Sequence, residues 1–333
     1  MVTKLATSLA SLKFSLAILL LLLGGLPLSA QGMLSNTVLL TVAGLLFIVN
    51  IGAALQCHTT FRSQPGLLVF HTALVVVLGT AVTSYLTSFK GAVELTQGEI
   101  FSGYAQSEER GMWHADHLKN MRFRQDGFTV DYGPGLKRGI TRNQVTWQEG
   151  GQRTRSATIG DGTSLNLAGY RLRTTANKGF APVFLWIPAD GLQPSRASLH
   201  LPSYPAIMEQ VRHWRIPQTA IRIKITLLLD EELANPEKSW QLHLPRRYRL
   251  KLETGDGSVN VLKEGSTVRF SEGVLVFEGL RSWMGYRIHY DPAMNWLLAS
   301  SLAAIFGLAW HYFKQFSIHH WAEYVSVSEK KVE

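Results

Sequence analysis

The chain has 333 residues, with 33 Lys and Arg against 24 Asp and Glu, giving a formal net charge of +9. Its single cysteine, Cys57, excludes an intramolecular disulfide, a CxxC redox pair, a cysteine zinc cluster and a covalent CxxCH haem attachment within this sequence. The mean hydropathy of +0.05 averages windows that lack charge with windows crowded by it.

Four windows are free of charged residues and close to the roughly 20 apolar residues that a bilayer crossing requires. They are about 14–30, 37–56, 67–86 and 295–313. In lipid each is expected to be a helix, because only a helix satisfies its own backbone hydrogen bonds there. The first window also has features of a secretory signal, with Lys4 and Lys13 ahead of it and Leu28-Ser29-Ala30 at its end. A long apolar run and the second span close behind it favour a retained helix.

Orientation follows from positive charge. Lys4 and Lys13 precede the first span, Arg62 lies between the second and third, and Lys314, Lys330 and Lys331 follow the fourth. The linker at 31–36 carries no charge. Both termini and the 57–66 loop are therefore expected in the cytoplasm. This gives an N-terminal membrane module over 1–86, an external β-rich domain over 87–293, and a fourth span with a cytoplasmic tail over 294–333.

The 87–293 region holds 27 Lys and Arg against 21 Asp and Glu, interleaved in sign. That pattern reads as a solvated surface, with a basic face for anionic lipid or ligand as the alternative. No nucleic-acid motif is present, so nucleic acid is not an expected partner. Alternating polarity with β-branched and aromatic residues marks strands at 128–132, 170–175, 183–187, 220–229, 247–253, 268–270 and 274–278. Helical periodicity is confined to 204–214. The expected fold is a helical membrane protein of four spans with an inserted sandwich or open barrel.

Most chemical motifs fail in this domain. His114 and His117 flank Asp116 without further ligands at a diagnostic spacing, and read as surface histidines. Gly133-Pro134-Gly135 reads as a turn, since no GKS/T follows, and no G-x-S-x-G elbow is present.

His71 is the main functional candidate. It lies about 6 Å into the third span, where an ionisable side chain is costly to bury. Imidazole is a common axial ligand of haem iron. A hydrogen bond to a neighbouring helix would explain it equally well. Leu74, Leu78 and Val82 share its face, forming an apolar wall for a porphyrin edge or another helix. Cys57, His58, His311, His319 and His320 read as interfacial.

The segment 67–99 resembles the ResB (CcsB) family of system II cytochrome c biogenesis proteins. In that family a histidine-bearing third span runs into a phenylalanine–glycine turn and an L-x-x-GE segment. The matching positions here are His71, Phe89, Gly91, Leu95, Gly98 and Glu99. Trp283 to Pro292 similarly resembles the family's entry into its fourth span, ending in Asp291-Pro292. The order of three spans, external β domain and one span also agrees.

The resemblance implies a multi-pass protein of the bacterial inner membrane that hands haem outward with a CcsA/ResC-like partner for attachment to the CxxCH cysteines of apocytochrome c. It implies His71 as axial ligand of a non-covalent b-type haem whose second axial ligand comes from the partner. The tryptophan-rich WGxFWxWD-type segment is absent, and in the family that element belongs to the partner. The chain is therefore expected to be a non-catalytic subunit. It is short for the family, and no glycine follows Asp291-Pro292. The alternative function is a non-haem membrane-anchored scaffold or sensor that binds a protein partner through its β domain. A transporter is disfavoured, because four spans show neither inverted repeats nor broken helices.

Overall fold

The computed structural model describes residues 2–149 and 153–329. Lys330 and Lys331, used above for orientation, lie outside the described residues, as do the side chains of His319 and His320. Among the described residues there are six α-helices: α1 (Val2–Leu9), α2 (Leu12–Ala30), α3 (Asn36–Cys57), α4 (Thr59–Ser63), α5 (Pro65–Thr87) and α6 (Met294–Glu329). Four of them, α2, α3, α5 and the Met294–Ser317 part of α6, are long and apolar enough to cross a membrane. The chain is thus membrane-embedded with a strand-rich insertion, as the charge-free windows and alternating segments predict.

Two compact units divide the chain. One comprises Met1–Phe89, Arg110–Ala115 and Asp291–Glu333, and the other Lys90–Glu109 and Asp116–Tyr290.

In the helical unit, leucine and valine are exposed along α2 and α3, and aromatic and aliphatic side chains along the 294–316 part of α6, as lipid-facing helices require. The buried positions of α2 and α3 are Ile18, Gly25, Ser29, Leu39, Ala43 and Asn50. Asn50, buried within α3, accepts from the Ser15 hydroxyl at 2.7 Å and donates to the Leu9 carbonyl at 2.6 Å. It satisfies the backbone where α1 gives way to α2. The α5–α6 pair approaches at two glycines. A Cβ on Gly66 would lie 2.6 Å from the His311 backbone nitrogen, and one on Gly307 would lie 2.6 Å from that of Phe70. Small residues at such crossings let the backbones themselves pack.

The entry to α6 is tied to α5. Asp291 accepts from the Ser84 hydroxyl at 2.7 Å through one oxygen and from the Ala293 N–H at 3.0 Å through the other. This carboxylate therefore satisfies a donor at the start of the helix and anchors the chain to its neighbour. The helix continues well past 313, where the sequence suggested its end, since no proline or glycine follows Gly307 to stop it.

The strands in chain order are β1 (Phe89–Thr96), β2 (Ser107–Arg110), β3 (Arg124–Gly133), β4 (Lys137–Glu149), β5 (Arg153–Gly160), β6 (Leu165–Leu167), β7 (Tyr170–Pro188) and β8 (Ser195–Ser198). They continue with β9 (Val211–Arg215), β10 (Arg222–Leu229), β11 (Trp240–Leu242), β12 (Tyr248–Thr254), β13 (Val259–Leu262), β14 (Thr267–Phe270) and β15 (Gly273–Tyr290). Among the described residues they form three sheets. One has the order β2-β1-β15-β7-β6, with β14 beside β15 and β8 beside β7. The others run β13-β12-β10-β9 and β11-β3-β4-β5. Among the described residues none closes into a barrel.

The spine of the first sheet is the long antiparallel pair of β7 and β15, broken by irregularities near Phe277 and Met284. Phe180, Phe184 and Trp186 of β7 meet Phe277 of β15, Ile225 of β10, Leu250 of β12 and Val130 of β3 in one buried cluster. The helical expectation at 204–214 is wrong. Residues 211–215 pair with β10, so their backbone hydrogen bonds go to the sheet. Ile207 and Met208, two apolar positions of the supposed helix, are exposed.

Candidate functional site

The turn before α5 sets up the His71 environment. Pro65 begins the helix with its φ already helical, and Gly66 seats that end against α6. One turn on, His71 Nδ1 lies 2.9 Å from the Leu67 carbonyl oxygen. A carbonyl only accepts, so Nδ1 carries the proton in this bond and a neutral ring keeps its lone pair on Nε2. That is the nitrogen a metal would take, with its partner already oriented by a backbone acceptor.

The imidazole is half-buried between two phenylalanines. Its ring centre is 4.5 Å from that of Phe61 on α4 and 5.0 Å from that of Phe70. Phe61 in turn lies edge-on to His58 at 6.2 Å. The structure therefore joins His58, expected only as an interfacial residue, to the surroundings of His71 through Phe61. The apolar wall runs differently at its far end. A Cβ on Gly44 would meet Val82 Cγ2 at 2.6 Å, so α3 occupies the Val82 level.

The near end of this wall presents one imidazole whose Nδ1 is engaged, with the rings of Phe61 and Phe70 against it. Among the described residues no three His, Cys, Asp or Glu side chains converge as a metal site. Iron held at His71 would therefore need a porphyrin and an axial ligand from elsewhere.

The matching Phe89–Glu99 positions have structural roles. Phe89 is fully buried, stacks on His114 at 5.1 Å and lies under the Arg110 guanidinium at 5.8 Å. His114 Nδ1 bonds to the Thr87 carbonyl at 2.9 Å, so this histidine packs at the end of α5. Leu95 is buried. Gly98 takes φ +85°, a left-handed value that glycine adopts without strain. Glu99 closes the same turn by accepting from the Thr96 N–H at 2.9 Å. The L-x-x-GE pattern thus encodes the end of β1.

Residues 60–159 match the ResB-like family. No curated protein matches the chain. The ResB-like match spans His71, α5 and β1 through most of β5, and associates the chain with cytochrome c biogenesis.

A second polar site, in the strand-rich unit, escaped the sequence. A groove of about 860 Å³ is lined by residues including Glu94, Arg196, His200, Arg212, Trp214 and Trp283. His200 Nδ1 faces Glu94 Oε2 at 3.1 Å, Nε2 faces Thr96 Oγ1 at 3.0 Å, and Trp283 stacks on the ring at 4.9 Å. The chain of carboxylate, imidazole and hydroxyl has the order of a hydrolase triad. Thr96 is only 2% exposed, however, so its hydroxyl has no access to a substrate, and both ring nitrogens are already engaged. The cluster pins β1 to the 199–203 segment and to β15.

Lys178 is the other unusual group in this unit. It is 4% exposed, sits 5.7 Å from the Tyr132 ring centre and donates to the Ala176 carbonyl at 3.3 Å. Burial, reinforced by Arg138 and opposed by Asp161, lowers its pKa to about 8.

Proposed function

We propose that this chain is a haem-handling and scaffolding subunit of a system II cytochrome c synthetase. The observation that carries the reading is His71, with Nδ1 committed to the Leu67 carbonyl and Nε2 left as ligand nitrogen, within the ResB-like match. His71 would hold a non-covalent b-type haem from one axial side, with Phe61 and Phe70 against it. The second axial ligand would come from a CcsA/ResC-like multispan partner. Haem supplies the vinyl groups to which apocytochrome c cysteines become attached. This chain contributes no thiol pair to that step, since Cys57 is its only cysteine, and it acts as a non-catalytic subunit.

Lys4, Lys13, Arg62 and Lys314 support an orientation with both termini in the cytoplasm and the strand-rich unit on the outer side of a bacterial inner membrane. His71 then lies near the inner mouth of α5, where haem made in the cytoplasm would arrive. The packing of Val82 on Gly44 favours a second reading, in which the His71 face only binds a neighbouring helix and the chain is a non-haem scaffold.

Purification together with the multispan partner, followed by an absorbance spectrum, separates the two. Haem recovered with the complex is the expected result, and a colourless, intact complex sinks the haem reading.

A further inference from the structure

A groove of about 340 Å³ opens in the helical unit between the start of α5 and the late turns of α6. Its lining comprises Ser63, Gln64, Pro65 and Gly66 on one side and Trp310, His311, Lys314 and Gln315 on the other. The side chains of Trp310, His311 and Lys314 all carry N–H donors. None of these three has a hydrogen-bond or ion-pair partner among the described residues, and no carboxylate lines the groove. Gln64 provides no side-chain cap to α5; in its first turn Pro65 has no N–H and the Leu68 N–H bonds to the Gln64 carbonyl, so the helix start adds little to the donors on α6. The groove therefore has donors and positive charge in excess, and the group that satisfies both is an anion.

Its surroundings specify the rest of the ligand. Phe306 is exposed on α6 one turn before Trp310, on the bilayer side of the groove along a helix apolar enough to span a membrane. A tryptophan and a lysine at the end of such a span belong at the headgroup level. Basic pockets between spanning helices take anionic headgroups.

We propose that this groove binds the phosphodiester headgroup of a net-anionic phospholipid, with the acyl chains along Phe306 and the apolar residues of α6 that precede it. Lys314 supplies the charge, while Trp310 and the His311 imidazole, which retains an N–H in either protonation state, supply neutral donors. The close approach of Gly66 to the His311 backbone fixes the two walls.

The test uses the full chain in nanodiscs of equimolar phosphatidylglycerol and phosphatidylcholine, released for native mass spectrometry. About fivefold preferential retention of phosphatidylglycerol is expected from one lysine at the headgroup level. Lys314→Gln should lose most of it and Lys314→Arg should keep it. The wild-type preference should also fall as salt rises, a readout that needs no variant. Equal retention of the two lipids, or a preference unchanged in Lys314→Gln, overturns the proposal. Millimolar inorganic phosphate is expected to leave the bound lipid in place. Displacement by phosphate alone would assign the groove to a free anion and overturn the lipid assignment. His71→Ala should leave lipid retention unaltered, so this outcome is separate from that for haem.

Discussion

Gly307→Ala probes the α5–α6 crossing that positions the start of α5. The new Cβ would lie 2.6 Å from the Phe70 backbone nitrogen, 3.0 Å from the Gly66 carbonyl oxygen and 3.0 Å from Val69 Cγ1. The first two are backbone atoms on a regular helix, and no rotamer change can relieve them. An ordinary contact begins near 3.4 Å, so the helices must part by about 0.8 Å. Overpacking of this kind costs about 1–3 kcal/mol. Helix propensity acts in the opposite direction, since alanine is favoured over glycine by about 1 kcal/mol in a helix interior. Gly79→Ala isolates that second effect, because nothing lies within 4 Å of a Cβ there. Thermal denaturation of the full chain in one detergent should show Gly307→Ala less stable than wild type and Gly79→Ala equal or more stable. Equal stability of Gly307→Ala and Gly79→Ala would refute the crossing as described.

Asp291→Ala removes the acceptor for the Ser84 hydroxyl and the Ala293 N–H together. A loss of about 1–3 kcal/mol is expected, with Asp291→Asn recovering part of it in the same denaturation assay. Lys178→Met should stabilise the protein at pH 7, because the buried amine carries a folded pKa of about 8 against an ordinary lysine value near 10.4. The unfolded chain binds that proton more tightly, so the penalty of about 3 kcal/mol is fully present below pH 8 and fades as pH rises toward 10. Melting curves of both proteins at pH 7 and pH 10 should show the difference shrinking, and a difference that grows with pH would contradict it.

The spans were legible because their lipid-facing side chains leave uninterrupted apolar windows, and their ends shifted by only a few residues, apart from α6. Asn50 stayed hidden within such a window, since its role depends on a carbonyl released at the α1–α2 break. The strands were legible where one face is buried, as in β10 and β12. Residues 170–175 and 183–187 read as two strands but form one, because β7 runs on beside β15 through positions 178–184, which are buried without alternation. Alternation disappears where both faces are covered. The 204–214 segment misled because tertiary pairing overrode a local period.

For the site, His71 was visible because a lone ionisable residue stands out in an apolar helix. Its link to His58 was not, because Phe61 makes it through space. The cluster of Glu94, Thr96, His200 and Trp283 had no sequence signal at all. Its members come from distant segments, and only the pairing of β1, β7 and β15 within one sheet brings those segments together.

The most direct test of the account is the Soret band of the complex purified with its multispan partner, compared between wild type and His71→Ala. Loss of the band in the variant, with partial recovery on added imidazole and with the complex still assembled, is the predicted result. An unchanged band together with undiminished cytochrome c maturation would contradict it and return His71 to a helix-packing role.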